Sequence, residues 1–233
     1  MFENGGKTVT RLYIVRHCEA TGNVAKTFQG RTDCDVTECG QKQLDCLSER
    51  FKNIHIDAVY SSPLIRAKKT AKAIVGDRNI PIYTEDKLIE IDGGEIEGVC
   101  WVNFKYTHPV IEYTWGQEPH LFHPNGGESM QSVYKRTWEA VLKIVKENDG
   151  KTVAIASHGV AIRNIMCHAE NKKIEELKSV AWSDNTGVYL LEFDGSEIPK
   201  IIINNDTSHL KEGLLPEGSK ISQIDMPKPK ELG

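Results

Sequence analysis

Short runs of apolar, β-branched residues recur along the chain, and each stops abruptly at polar ones. Leu12-Tyr13-Ile14-Val15 ends at Arg16-His17-Cys18, the run from Ile56 to Tyr60 at Ser61-Ser62-Pro63, and Thr152-Val153-Ala154-Ile155-Ala156 at Ser157-His158-Gly159. Runs of this kind predict strands buried on both faces, as in a parallel sheet covered by helices. Between them the apolar spacing becomes helical. Thr37 reads as the N-cap of a helix over 38–51, with Cys39, Leu44, Leu47 and Phe51 on its apolar side. Pro63 is expected in the first turn of a helix carrying Leu64, Ile65, Ala67, Ala71 and Ile74. Glu128-Ser129 opens a long helix to about Glu147, with Val133, Tyr134, Thr137, Trp138, Val141, Leu142 and Val145 as its core stripe. Val160, Ile162, Ile165 and Met166 begin another. Ile80-Pro81-Ile82-Tyr83 is expected as an edge strand, limited by its proline. Gly187–Phe193 and Ile198–Asn204 are expected as a hairpin about Asp194-Gly195. The alternation of strands and helices predicts an α/β fold with a parallel sheet.

With 233 residues, the chain is long enough for one large α/β domain. Apolar content falls away after Leu215, so residues 1–215 are expected as the domain and 216–233 as a flexible tail. The formal charge of −4 leaves no global field to attract nucleic acid or an anionic membrane, so any anion is held by a local cluster. Lys68, Lys69 and Lys72 fit a solvated helix face better than a nucleic-acid patch. Met1 to Thr10 carries no apolar leader, and no run is long enough to span a bilayer. The six cysteines never form a C-x-x-C pair. Those at 34, 39 and 46, even with His55, fit no zinc spacing, so free thiols in a reducing cytoplasm and no metal are expected. Residues 99–126 form an insertion rich in Trp101, Phe104, Tyr106, Tyr113, Trp115 and Phe122. It reads equally as a small satellite core and as a substrate-facing lid. The second reading implies a substrate with an apolar or planar leaving group.

Candidate chemistry gathers at the strand ends. In a parallel sheet the ends of the first and third apolar runs share an edge, which brings His17 and His158 together beside Arg16. Arginine offers a planar fork suited to phosphate, and histidine can be a nucleophile or a proton carrier. Arg66 stands near the start of a helix at a strand's C-terminal end, where amides and a guanidinium converge on one anion. Gly159 permits close approach of a ligand. Glu90, between Ile89 and Ile91, is placed in an apolar wall.

These residues resemble the histidine phosphatase superfamily, also called phosphoglycerate mutase-like. Arg16-His17-Cys18-Glu19 with Asn23 is similar to R-H-G-E-T-x-x-N. Gln29-Gly30, Asp33, Thr37, Gly40 and Gln43 follow the next block. Ser61-Ser62 with Arg66-Ala67 and Thr70-Ala71 is similar to S-S-x-x-x-R-A-x-x-T-A. Leu88, Glu90, Gly94 and Glu97-Gly98 are similar to L-x-E-x-x-x-G-x-W-E-G, and Gly127-Glu128-Ser129 and Ser157-His158-Gly159 complete the order. Two positions depart. Cys18 replaces a glycine beside the nucleophile, where it is expected either to crowd the phosphate or to sensitise the enzyme to oxidation. Ile96 replaces a tryptophan and is expected to matter only to packing.

The resemblance implies a three-layer α/β/α sandwich around a mostly parallel sheet, and a metal-independent phosphomonoesterase without a cofactor. It implies that His17 attacks phosphorus to form a phosphohistidine, that Arg16, Arg66 and His158 surround the equatorial oxygens, and that Glu90 is the proton donor and later the base. Asn23, Gln29, Gly30 and Gly159 join the phosphate-binding set. The insertion is shorter and less basic than that of cofactor-dependent phosphoglycerate mutases, and Asn205–Leu210 looks like the end of broad-specificity phosphatases, so hydrolysis of a small phosphorylated metabolite is expected. A mutase and a non-catalytic phospho-ligand binder are the alternatives. The oligomeric state is left open.

Overall fold

The apolar runs form strands. β1 (Thr10–Arg16), β2 (Ala58–Ser61), β3 (Ile82–Thr84), β4 (Thr152–Ser157), β5 (Val188–Phe193) and β6 (Lys200–Asp206) make one sheet in the order β3-β2-β4-β1-β5-β6. β1 to β4 are parallel, and β5 runs antiparallel to both its neighbours. The computed structural model describes residues 8–214, so the segment expected as a tail lies outside the described residues.

Alternate strand residues face opposite cores. Leu12, Ile14, Ala58, Tyr60, Val153 and Ile155 enter one cluster, and Val15, Val59, Ala154 and Ala156 the other. Helices α6 (Met130–Glu147) and α7 (Gly159–Ala169) cover the first face. Helices α2 (Glu38–Phe51) and α3 (Ile65–Val75) cover the second. The result is the expected three-layer sandwich, with short helices α1 (Thr21–Val24), α4 (Phe104–Thr107) and α5 (Pro109–Gln117) in the connections.

Several boundaries differ from the sequence reading, each for a local reason. Pro63 lies outside α3, whose first N–H, on Ile65, is taken by Asp33 Oδ1 at 2.7 Å instead. β6 starts at Lys200, because Pro199 has no N–H to give the ladder. On α6 the buried line is Val133, Thr137, Ala140, Val141 and Ile144, whereas Tyr134 and Trp138 turn aside to stack on His168. The aromatic insertion is core. Phe104 and Phe122 are buried and stack on Phe28, and Trp115 stacks on Trp182. The rings of Tyr106 and Tyr113 stay exposed.

Candidate active site

β1 and β4 are neighbours in register, Arg16 opposite Ser157, and the His17 N–H bonds the Ser157 carbonyl at 2.9 Å. The next residues on each strand are the two histidines, so their rings lie 5.2 Å apart. Both are buried, His158 completely. Their hydrogen bonds assign their tautomers. His17 Nδ1 is 2.6 Å from the Cys18 carbonyl, which can only accept, so Nδ1 holds the proton and Nε2 keeps a lone pair. Ser62 Oγ accepts the Leu64 N–H and lies 2.6 Å from His158 Nε2. With the Ser62 O–H donating to Nε2, the proton of a neutral His158 sits on Nδ1.

Burial lowers both imidazoles well below the usual histidine pKa, and the Arg66 and Arg16 guanidiniums push the same way. Both rings are therefore neutral at physiological pH. The two arginines stay charged, and the Glu90 carboxyl lies near both.

Each guanidinium is braced by backbone carbonyls. Arg16 Nη1 bonds the Ser183 carbonyl, while Arg66 bonds Gly30 O at 2.8 Å and Thr32 O at 2.9 Å. Gly30, at φ +47°, aims its carbonyl at Arg66, and a Cβ there would meet Glu97 Oε1 at 2.3 Å. Glu97 in turn accepts from the Arg31 N–H and the Thr32 hydroxyl, both at 2.6 Å. The carbonyl pair that holds Arg66 is thus itself held.

After this bracing, three buried nitrogens have no partner: Arg16 Nε, Arg66 Nε and His158 Nδ1. Leaving one buried donor unsatisfied costs about 1–3 kcal/mol, so three gathered around one ring pair mark a place for an anion. Gly159 borders it. A methyl at that position would sit 3.6 Å from Arg16 Nε. Glu90 lies at the N-terminus of α7, where Oε2 accepts from Val160 N at 3.0 Å and Oε1 from Ala161 N at 3.2 Å and Ile91 N at 2.9 Å.

The family model described as histidine phosphatase superfamily (branch 1) matches residues 12–206. The chain belongs to the histidine phosphatase superfamily. Phosphoserine phosphatase 1 of Hydrogenobacter thermophilus is 35% identical over 159 residues, which is 68% of this chain and 75% of that protein. A metal-independent phosphoserine phosphatase of Arabidopsis thaliana is 34% identical over 160 residues, 67% of each chain. Among solved structures, Bacillus stearothermophilus YhfR superposes with a TM-score of 0.82 at 34% identity, over 87% of this chain and all of that one.

Within this superfamily fold, the residues singled out from sequence divide in two. His17, His158, Arg16, Arg66, Glu90, Gly30 and Gly159 are joined through the contacts above. Asn23 and Gln29 take no part in those contacts. Asn23 spends its Oδ1 on the Ala20 N–H, capping α1, and Gln29 packs against Gly22 with Oε1 buried and unpartnered. Neither concern over Cys18 holds. Its side chain joins the core under α2, beside the space that Gly40 leaves, and burial pushes the thiol up to about 12. A protonated, enclosed thiol neither crowds the anion place nor oxidises readily. All six cysteines are free.

The sequence reading missed the loop that grips His17 from behind. Asn185 Nδ2 bonds the His17 carbonyl at 2.9 Å, and the Thr186 N–H bonds the Arg16 carbonyl at 3.1 Å. Thr186 does so at φ +55°, a strained geometry for a β-branched residue. Its signal, the turn-like run Ser183-Asp184-Asn185-Thr186-Gly187, is no different from that of an ordinary loop.

Proposed function

We propose that the chain hydrolyses the phosphomonoester of a small metabolite through a phosphohistidine on His17. The observation that carries this reading is that Arg16 Nε, Arg66 Nε and His158 Nδ1 are buried without partners, while the His17 and His158 rings lie 5.2 Å apart and both guanidinium charges act on them. Three donors match the three equatorial oxygens of a phosphoryl group in flight.

His17 Nε2 attacks phosphorus in line. The P–N bond forms as the bond to the ester oxygen breaks, and the electron pair leaves with that oxygen. Glu90 delivers its Oε2 proton to the leaving alcohol. Oε2 accepts a single N–H in the structure, so it retains a site for that proton. Water then attacks the phosphohistidine, Glu90 takes its proton, and the P–N electron pair returns to His17. Asn23 Nδ2 and the Gln29 amide are further donors to the bound group, and Gly159 leaves it room. Two guanidiniums and an imidazole N–H supply the positive field that a divalent ion supplies in other phosphatases, so no metal or cofactor enters the scheme. Phosphoserine is the first substrate to try, on the strength of the similar phosphoserine phosphatases. A cytoplasmic location suits the free thiols, and among the described residues no helix is long and apolar enough to cross a membrane.

His17→Ala is expected to abolish both turnover and an acid-labile phosphoenzyme trapped from labelled substrate, and EDTA is expected to change neither. Retained turnover in His17→Ala, or loss with EDTA restored by Mg²⁺, would overturn the reading. Isomerisation of 3-phosphoglycerate without release of phosphate would replace it by a mutase.

A further inference from the structure

We propose that Arg136, with Glu128 and Arg31, is a positioning residue that sets the proton-transfer geometry of Glu90; the inference rests on the reading of Glu90 as the general acid. Arg136 lies on α6, outside the set of residues around the anion place. A guanidinium has five N–H donors, and all five are spent on protein groups. Nε and Nη2 form a fork on Glu128 at 2.8 and 2.9 Å. Nη1 bonds the carbonyls of Lys87 and Ile89, each at 2.7 Å, and Nη2 also reaches that of Glu90 at 3.2 Å. No donor is left for a substrate, so Arg136 acts through the backbone it holds and, more weakly, through its charge on His158, which lysine at 136 would keep.

That backbone is the segment ending at Glu90. The one carbonyl in it that Arg136 does not bond, Leu88 O, accepts from Ser157 Oγ at 2.7 Å, and Ser157 immediately precedes His158. Arg31 adds a second grip, with Nε 3.4 Å from the Glu90 carbonyl and Nη2 3.2 Å from Glu128. Glu128 bridges the two guanidiniums, and against the upward push of burial its carboxyl is held below its ordinary value by the Arg136 hydrogen bonds and charge, with Ser132 and Arg31 adding to them. The main chain of Glu90 is thus tied to α6 and to β4, while its carboxylate sits on the α7 amides. A proton donor must meet the leaving oxygen within hydrogen-bond reach, and a misplacement of about 1 Å is enough to cost about a hundredfold. Lysine at 136 keeps the charge but cannot form the fork and reach three carbonyls at once.

The readout is the dependence on the leaving group. An alkyl phosphate such as phosphoserine needs a proton on its departing oxygen, whereas p-nitrophenolate leaves without one. Since kcat/KM reports only steps up to formation of the phosphoenzyme, slow dephosphorylation does not mask the difference. Arg136→Lys is expected to lower kcat/KM for phosphoserine by about tenfold or more while changing that for p-nitrophenyl phosphate by less than about threefold. Glu90→Gln is expected to show the same selectivity more strongly. Equal losses on both substrates, or none, in an Arg136→Lys protein that unfolds as cooperatively as the wild type would overturn the inference. If that protein does not fold, Glu128→Gln is read by the same criterion, with a smaller selective loss expected. Were Glu90→Gln itself to lose both activities equally, the general-acid reading would fall, and the inference with it. Selectivity in Glu90→Gln without selectivity in Arg136→Lys would sink the inference alone.

Discussion

The two neutral histidines make stability depend on pH in a way that can be worked out beforehand. Both rings have folded-state pKa values well below the ordinary 6.5, through burial first and the Arg66 charge second. A base with a depressed pKa is bound to fewer protons when folded than when unfolded. As pH falls through about 6.5 the unfolded chain takes up protons that the folded chain refuses, so stability falls with it. Going from about pH 7.5 to 5.5, each ring that stays neutral loses RT ln 10, about 1.4 kcal/mol, or about 2.7 kcal/mol for the pair. The assay is urea unfolding at the two pH values for the wild type, His17→Asn, His158→Asn and the double variant. Asparagine does not titrate, so each single change is expected to remove about 1.4 kcal/mol of the pH dependence and the double change about 2.7. His168 and His209, also lowered by burial, are present in all four proteins and cancel in the differences. Equal pH dependence in the wild type and the double variant, to within about 0.5 kcal/mol, would refute the claim that these rings are buried and neutral.

Gly30→Ala forces a side chain into a left-handed backbone and against Glu97, at a cost of about 1–3 kcal/mol; because the Gly30 carbonyl braces Arg66, KM is expected to rise as well, read by denaturant melts alongside steady-state kinetics. Cys18, with its thiol pushed to about 12, is expected to resist alkylation in the native enzyme and to react only after unfolding, as mass spectrometry after iodoacetamide treatment would show.

Strand ends were the most legible part of the sequence. The runs before Arg16 and His158 are apolar on both faces because helices cover both sides of β1 and β4, and that double burial leaves a strong signal. Once the two strands are parallel neighbours, the meeting of His17 and His158 follows from register alone. The N-cap at Thr37 was equally plain, because its side chain does what threonine does there, accepting the Gly40 N–H at 2.9 Å. What escaped were roles that depend on several backbone carbonyls converging. Arg136 stands on α6 near Lys135 and Lys143, and no local pattern separates a guanidinium that braces a loop from a solvated cation. The aromatic insertion was ambiguous for a related reason: composition says that rings will cluster, but not which side of the cluster the phosphate lies on. Phe28, far upstream, is what gathers them, since Phe104 and Phe122 stack against it.

The seam between β1 and β4 joins pieces of chain made far apart in time during synthesis, with one histidine near the beginning and the other well past the midpoint. A ribosome-bound fragment carrying only the first half owns Arg16, His17 and Arg66 but lacks His158 and the α7 amides that hold the Glu90 carboxyl. Catalytic competence therefore arrives late and all at once, so enzyme turnover reports completion of the central sheet, and cutting the chain between α5 and α6 would yield two inert halves whose reassociation is what switches the chemistry on.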